Sequence, residues 1–173
     1  TRIYQSSEVA NEHQKILVDP TDSSDVYNIS KLMGESLCFN TGNERVKVVR
    51  LSNVVGGDTE NHGNFLPSLL HDALLGHIKL RSALTSAKDY IYIDDVIGLL
   101  PAIAMHGRQQ LYNIASGNNL THQEIVNRLI EITGCSLEVV SNSPEFVFPL
   151  IDVSRIRREF GFEPKSVIEL LPF

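Results

Sequence analysis

Tyr27 and Lys31 stand four residues apart in a stretch whose apolar residues recur at helical spacing. Residues i and i+4 share one face of an α-helix, so the phenol and the ammonium are expected to point the same way. An ammonium near a phenol favours the phenolate, which allows a tyrosine to act as a general acid and base near neutral pH. By itself the pair is weak evidence, because chance often places a surface tyrosine beside a solvated lysine.

The elements that must position this pair alternate between strands and helices. Residues 2–7 are predicted to form a strand, and a helix is predicted over residues 27–41, where Gly42 follows as a stop. Residues 46–51 are short and β-branched, which predicts a buried strand. A loop is expected at the carboxyl end of this strand, over residues 52–57.

The rest of the chain continues the alternation. Thr121 and Glu124 have the spacing of a capping box, Asp94 or Asp95 is expected to cap the helix before it, and Asp152 the last one. Helices are predicted over residues 65–75, 95–105, 121–133 and 155–160, and strands over residues 78–80, 89–93, 111–114 and 137–140. This order predicts an α/β fold with a largely parallel sheet.

Composition and charge exclude several classes of protein. Of the 173 residues, 42% are hydrophobic and 21% are charged, which is typical of a soluble globular chain and disfavours disorder. Fifteen Lys and Arg against 21 Asp and Glu give a net charge of −6, so a nucleic-acid partner is not expected. Apolar runs such as residues 97–104 are too short to span a bilayer, so no membrane partner is expected either.

Cysteine and histidine usage bears on compartment and metal binding. The two cysteines cannot build a disulfide framework and suit a reducing compartment, and the N-terminal residues show no secretory leader pattern, so a cytoplasmic location is expected. None of the six histidines stands in a His-x-x-x-His pair, so a metal site is not expected.

The order of the polar motifs carries more information than any one of them. Ser6 closes the first predicted strand, Tyr27 and Lys31 follow on a helix, and Asn53 closes the next predicted strand. This order resembles the extended short-chain dehydrogenase/reductase family, in particular its NAD-dependent nucleotide-sugar epimerases and dehydratases. Further segments that resemble the family's motifs are residues 30–35 (Ser-Lys-Leu-Met-Gly-Glu), 50–56 (Arg-Leu-Ser-Asn-Val-Val-Gly), 88–96 (Lys-Asp-Tyr-Ile-Tyr-Ile-Asp-Asp-Val) and 111–117 (Leu-Tyr-Asn-Ile-Ala-Ser-Gly).

The resemblance implies the second half of a Rossmann-type parallel sheet with a smaller α/β substrate-binding subdomain. Residues 1–60 would form the C-terminal half of the NAD-binding domain, and residues 61–173 mainly the nucleotide-sugar subdomain, with some segments returning to the sheet. The eleven glycines include no G-x-G-x-x-G fingerprint for a dinucleotide pyrophosphate. We therefore expect the chain to be part of a longer product and to be inactive in isolation.

The resemblance also implies roles for individual residues. Tyr27 would move the proton of a sugar hydroxyl while NAD, or alternatively NADP, accepts or returns a hydride at the same carbon. Lys31 would bind the nicotinamide ribose, and Ser6, or Ser7 if the register slips by one, would hydrogen-bond the substrate oxygen. Glu8 stands where dehydrating members place a proton-transfer glutamate, although a solvated loop carboxylate is an equal interpretation.

The same resemblance implies which further residues bind the cofactor and which bind the substrate. The implied cofactor-binding residues are Tyr27, Lys31, Asn53 and Val54. The implied substrate-binding residues are Ser7, Asn53, Asn64, Phe65, Lys88 and Glu145. Lys88 replaces the family's phosphate-binding arginine, Glu145 stands where an acidic ribose ligand is expected, and Asn64 has a helix cap as its alternative.

The function that these residues imply is reversible oxidation at a sugar carbon of a nucleoside-diphosphate sugar, followed by epimerisation, dehydration or decarboxylation. The full-length form is expected to be a homodimer, because the family commonly dimerises through the region of the predicted 27–41 helix. Two alternatives remain open at this point. The chain could be a non-catalytic sugar-nucleotide-binding or interaction module, or a short-chain reductase of a non-sugar carbonyl that uses the same Tyr27 and Lys31.

Overall fold

The computed structural model describes residues 2–57 and 64–172. Its helices are α1 (Val26–Phe39), α2 (Phe65–Leu74), α3 (Ile93–His106), α4 (His122–Thr133), α5 (Ser154–Phe160) and α6 (Val167–Leu170). Its strands are β1 (Val48–Leu51), β2 (Asn53–Val55), β3 (His77–Leu80), β4 (Ala87–Tyr92), β5 (Leu111–Ile114), β6 (Asn119–Thr121) and β7 (Ser136–Val139). The predicted α/β class is confirmed, and each predicted helix lies within two residues of its observed bounds.

The strands of the described residues pair in three small sheets. β1 and β5 are parallel, with Leu51 opposite Ile114, and β3 and β7 are parallel as well. β2 runs parallel to β4 with Asn53 opposite Tyr90, and β6 adds to β4 in the antiparallel direction. The mostly parallel pairing agrees with the alternation of strands and helices along the chain.

Two hydrophobic clusters pack on either side of β4. Ile91 lies in a cluster with Ile114 and Ile156, whereas its neighbour Tyr90 lies in a second cluster with Leu66 and Leu129. Successive side chains of a strand point to opposite faces, so β4 separates the two clusters. In the described part of the chain, no helix has the length and apolar character needed to cross a bilayer.

The prediction of a strand over residues 2–7 is wrong. Arg2–Tyr4 is a 3-10 turn, and the amides of Gln5 and Ser7 donate to the carbonyls of Arg2 and Tyr4. No described strand pairs with this segment, so its backbone groups form local hydrogen bonds instead of a ladder.

Three smaller expectations also need correction. The first turn of α3 contains Asp94 and Asp95, but neither caps it, because the N-cap position is Tyr92. The segment expected to be a loop after β1 contains strand β2, because its backbone pairs with β4. Asp152 does not occupy the N-cap position of α5, although its carboxylate accepts a hydrogen bond from the amide of Ser154 at 2.8 Å. The capping box at the start of α4 is confirmed.

A buried carboxylate connects β4 to the turn after β5. Asp89 accepts hydrogen bonds from the amides of Ser116 and Gly117 at 3.0 and 2.7 Å, and from the Ser116 hydroxyl at 2.9 Å. The backbone carbonyl of Asp89 accepts a further bond from the Asn53 side chain at 2.7 Å. These hydrogen bonds connect β4 to the first residue of β2 and to the turn after β5. Several polar side chains therefore lie close together at this junction.

Gly56 follows β2 with a φ of +95°, and a Cβ added there would lie 2.3 Å from the Tyr92 ring. We expect Gly56→Ala to destabilise the chain by about 1–3 kcal/mol, because alanine is strained at this positive φ and the Tyr92 ring must move to make room for the Cβ. Denaturant midpoints at constant slope measure this change.

Gly98→Ala is the matched control, since Gly98 lies inside α3 with open space around its Cα. Alanine is the better helix former, so this variant should gain about 0.5–1 kcal/mol. Equal losses of stability for the two variants would contradict the strained geometry assigned to Gly56.

Candidate functional site

Tyr27 and Lys31 lie on one face of α1, as their spacing predicts. The Lys31 ammonium lies over the Tyr27 ring, with Nζ 5.2 Å from the ring centroid. The Tyr27 side chain is open to ligands, since 53% of the residue is exposed. The cation and the phenol are therefore neighbours, as the predicted acid/base pair requires, and their catalytic role stays a prediction.

The pair faces an open cleft of about 680 Å³ between α1 and β1. Ser52 and Asn53, at the carboxyl end of β1, line the same cleft. The Ser52 hydroxyl oxygen is buried and has no hydrogen-bond partner among the described residues. Ligands of α/β proteins bind at the carboxyl ends of parallel strands, so this placement favours a binding site.

The orientation of α1 relative to β1 is set by an ion pair. The Arg50 guanidinium donates from Nε and Nη2 to the Glu35 carboxylate at 3.0 and 2.7 Å. Glu35 lies two turns after Tyr27 on the same helix face, so this contact determines how the face is turned. No role was predicted for Arg50 or Glu35 from the sequence, although Glu35 lies in the 30–35 motif and Arg50 in the 50–56 motif.

The side chains predicted to assist Tyr27 are placed less favourably. Ser6 and Glu8 are exposed, and neither lines the cleft that contains Tyr27. Ser7 is half-buried, and its hydroxyl oxygen is buried with no partner in the part of the chain that the structure describes. Ser7 does not line the cleft of Tyr27 either, so the roles of Ser6, Ser7 and Glu8 stay predictions.

Asn53 joins the Tyr27 cleft to two smaller pockets. A pocket of about 290 Å³ is lined by Asn53, Asn64, Phe65 and Lys88, and another of about 110 Å³ also contains Asn53 and Lys88. Val54 lines the larger of these two and not the Tyr27 cleft. Asn53 therefore lines all three pockets, which together are called the crevice and which also contain Tyr27, Lys31 and Lys88.

Lys88 carries a charge that the described residues do not balance. Its ammonium lies 5.8, 5.8 and 5.5 Å from the ring centroids of Phe65, Phe146 and Phe148. No described carboxylate lies within salt-bridge distance of it. Burial, and then repulsion from Arg2, lower the pKa of Lys88. An anion bound here would supply the missing countercharge.

His122 supports the wall of this pocket, and sequence reasoning missed it. Its ring stacks on Phe65 with 4.2 Å between centroids, and its Nδ1 lies 2.8 Å from the Ser82 hydroxyl. Burial, and then the charge of Lys88, lower the pKa of His122 to about 4, so the imidazole is neutral at physiological pH. No short-range signal could have identified it, because it stacks on a ring 57 positions away.

The remaining predicted residues divide into two groups. Asn64 occupies the N-cap position of α2, but its side chain makes no capping hydrogen bond and lines the pocket beside Lys88. Glu145 is exposed and lines none of the three joined pockets. Within the described ranges, no group of three or more His, Cys, Asp or Glu residues could hold a metal ion.

Comparison with known proteins connects this geometry to a family and to particular relatives. A dTDP-glucose 4,6-dehydratase from Streptomyces griseus is 27% identical over 155 residues, which cover 84% of this chain and 47% of that protein. The dTDP-glucose 4,6-dehydratase of Bacillus anthracis in complex with NAD superposes with a TM-score of 0.77 at 22% identity, over 97% of this chain and 55% of that one.

A third relative, MoeE5 in complex with UDP-glucose and NAD, has a TM-score of 0.77 at 21% identity, over 98% of this chain and 59% of that one. The chain thus spans about half the length of these relatives. At such identities the two superpositions establish the fold. The model of the NAD-dependent epimerase/dehydratase family matches residues 2–115, which is more than half of the sequence. On that match, the chain belongs to the NAD-dependent epimerase/dehydratase family.

Proposed function

We propose that this chain supplies the nicotinamide-facing side and the sugar-nucleotide side of an enzyme that transiently oxidises a sugar carbon of a nucleoside-diphosphate sugar. The observation that carries the proposal is that Asn53 lines both the cleft of the Tyr27–Lys31 pair and the pockets of Lys88, whose charge no described carboxylate balances. The related structures in complex with NAD, and with UDP-glucose and NAD, support this choice of ligands.

The residues around the cleft suit a nicotinamide ribose. Lys31 offers an ammonium and Ser52 a hydroxyl that has no partner among the described residues, and both are hydrogen-bonding groups that a ribose can use. When bound, NAD supplies a hydride acceptor and later returns the hydride. Epimerisation or dehydration of the oxidised sugar would follow this first step.

Tyr27 performs the proton transfer in this proposal. Its phenolate oxygen takes the proton of a sugar hydroxyl while the C–H bond of the same carbon loses its hydride, so the hydroxyl carbon becomes a carbonyl. Lys31 stabilises the phenolate through its charge. When the hydride returns, Tyr27 gives the proton back to the oxygen. The Ser7 hydroxyl, or that of Ser6, would hold the oxygen during the exchange.

Lys88 and the aromatic rings hold the other end of the substrate. The ammonium attracts the diphosphate, and Phe65, which His122 supports from behind, offers a ring face for stacking. Because Asn53 lines the pockets of Lys88 and the cleft of Tyr27, a nucleotide sugar bound through Lys88 would extend past Asn53 toward Tyr27. The finer choice between epimerisation, dehydration and decarboxylation depends on which group acts on the neighbouring carbon.

Replacing Tyr27 by Phe should lower kcat of the whole protein by about 10²–10⁴-fold, because the proton acceptor is lost. Affinity for NAD and for UDP-glucose should change little, since the ring and Lys88 remain. Steady-state kinetics with UDP-glucose, dTDP-glucose and a simple ketone measure this and separate a nucleotide-sugar enzyme from a reductase of other carbonyls.

Tyr112→Phe is the matched control, because this tyrosine is buried and its hydroxyl bonds Gln109 and Glu159 away from the cleft. The control should retain its kcat. A Tyr27→Phe enzyme with full activity would show that Tyr27 is not the acid/base.

The pH dependence of ligand binding tests Lys88. An ordinary lysine has a pKa of about 10.4, and the pKa of Lys88 is lowered, so Lys88 loses its charge at a lower pH. The affinity for UDP-glucose should therefore fall with rising pH before an ordinary lysine would lose its charge. The affinity of Lys88→Arg for UDP-glucose should not change with pH, because an arginine stays charged over the pH range in which Lys88 titrates. Lys88→Gln should bind about 10–100-fold more weakly at neutral pH. Titration calorimetry from about pH 7 to 10 gives these constants, and the same pH profile in Lys88→Arg would refute the assignment.

The isolated chain should be inactive and bind NAD weakly, because its eleven glycines include no dinucleotide fingerprint for the pyrophosphate. Calorimetry of the isolated chain with NAD and with UDP-glucose, beside the whole protein, measures this. Turnover by the isolated chain would contradict the proposal. Affinity for UDP-glucose without NAD-dependent turnover in the whole protein would favour a non-catalytic sugar-nucleotide-binding module.

A further inference from the structure

The hydroxyl group of Tyr4 lies at the centre of a buried polar network. The residue is 1% exposed, and its oxygen accepts a hydrogen bond from Nη1 of Arg50 at 2.7 Å. The same hydroxyl lies within donating distance of Oδ1 of Asn113 at 2.9 Å and of the Asn11 carbonyl at 3.0 Å. Burial raises the pKa of Tyr4, so the hydroxyl keeps its proton and can donate it to these acceptors.

On one side, the network reaches the face of α1 that carries the proposed acid/base. Arg50 holds Glu35 by its Nε and Nη2 groups, and the two side chains are 7% and 13% exposed. Tyr27, Lys31 and Glu35 follow one another at intervals of four residues, so they share a helix face. A guanidinium with this forked geometry fixes direction as well as distance, and the rotation of α1 about its axis therefore depends on Arg50.

On the other side, the network closes the loop that contains the predicted assisting residues. The contact from the Tyr4 hydroxyl to the Asn11 carbonyl joins the two ends of the segment that includes Ser6, Ser7 and Glu8. The loop end is held again at Ala10, whose carbonyl accepts from the Asn113 side chain at 3.2 Å and from the Asp152 amide at 2.9 Å.

We propose that Tyr4 is a positioning residue, whose hydroxyl couples the rotation of α1, and hence of Tyr27 and Lys31, to the loop that contains Ser6, Ser7 and Glu8. The consequence for turnover rests on the proposed function, whereas the coupling is a property of the chain alone. Tyr4→Phe removes only one oxygen atom, and Nη1 of Arg50 and Oδ1 of Asn113 each lose their hydrogen bond to it.

Nuclear magnetic resonance of the chain labelled at the tyrosine Cζ tests the coupling directly. The Tyr27 resonance is identified by its loss in Tyr27→Phe. We expect Tyr4→Phe to shift this resonance and Glu35→Gln to shift it as well. Because both variants break one network, the double variant should shift it no further than the larger single effect.

Tyr112→Phe is the control, since it removes a buried, hydrogen-bonded hydroxyl from the same hydrophobic cluster without touching Arg50 or Glu35. It should leave the Tyr27 resonance in place. An unchanged Tyr27 resonance in a folded Tyr4→Phe chain, or an equal shift in Tyr112→Phe, overturns the proposal.

Kinetics of the whole protein supply the second measurement. Tyr4→Phe should lower kcat by about 10–100-fold with less than about a threefold change in KM for UDP-glucose, because the acid/base is misplaced while the Lys88 pocket is untouched. A proportional rise in KM with unchanged kcat would contradict the assigned role. If the wild-type protein has no NAD-dependent turnover, the proposed function fails, and the resonance measurement alone decides the role of Tyr4.

Discussion

The ion pair between Arg50 on β1 and Glu35 on α1 is the contact on which the candidate site depends. α1 buries little of its own surface, and Asn28 is the one residue of the helix that is fully buried. A helix with so little packing needs a directional contact to present a defined face. Both side chains are largely buried, and removing either one would leave an uncompensated buried charge at a cost of about 3–5 kcal/mol.

Lys88 shows the opposite arrangement at the other end of the crevice. Arg50 has a carboxylate and a phenol as partners, whereas the described residues around Lys88 offer aromatic rings and the repulsive charge of Arg2 but no carboxylate in salt-bridge distance. A buried cation with a forked carboxylate partner fixes a direction, whereas a half-buried cation without one is a place where a ligand anion gains energy. Arg50 therefore orients a helix, and Lys88 is the cation that the proposed function assigns to the substrate.

Much of the fold could be predicted because local patterns determine it. The Thr121–Glu124 capping box, the helix that carries Tyr27 and Lys31, and the β-branched strand β1 each follow from residues close together in the chain. The strand expected over residues 2–7 is absent because a strand needs a neighbour to pair with, which local sequence does not reveal. Glu145 was assigned by resemblance alone in a segment that departs from the family's pattern; it is exposed, and its role stays a prediction.

Local patterns are enough to predict the alternation of strands and helices and the shared face of Tyr27 and Lys31, because helical and strand periodicity act over a few residues. Packing in three dimensions adds contacts that no local pattern specifies: Phe65 with His122, Phe146 and Phe148 with Lys88, and Tyr4 with Arg50 and Asn113. These partners are between 46 and 109 positions apart, and their contacts exist only once both hydrophobic clusters have packed around β4.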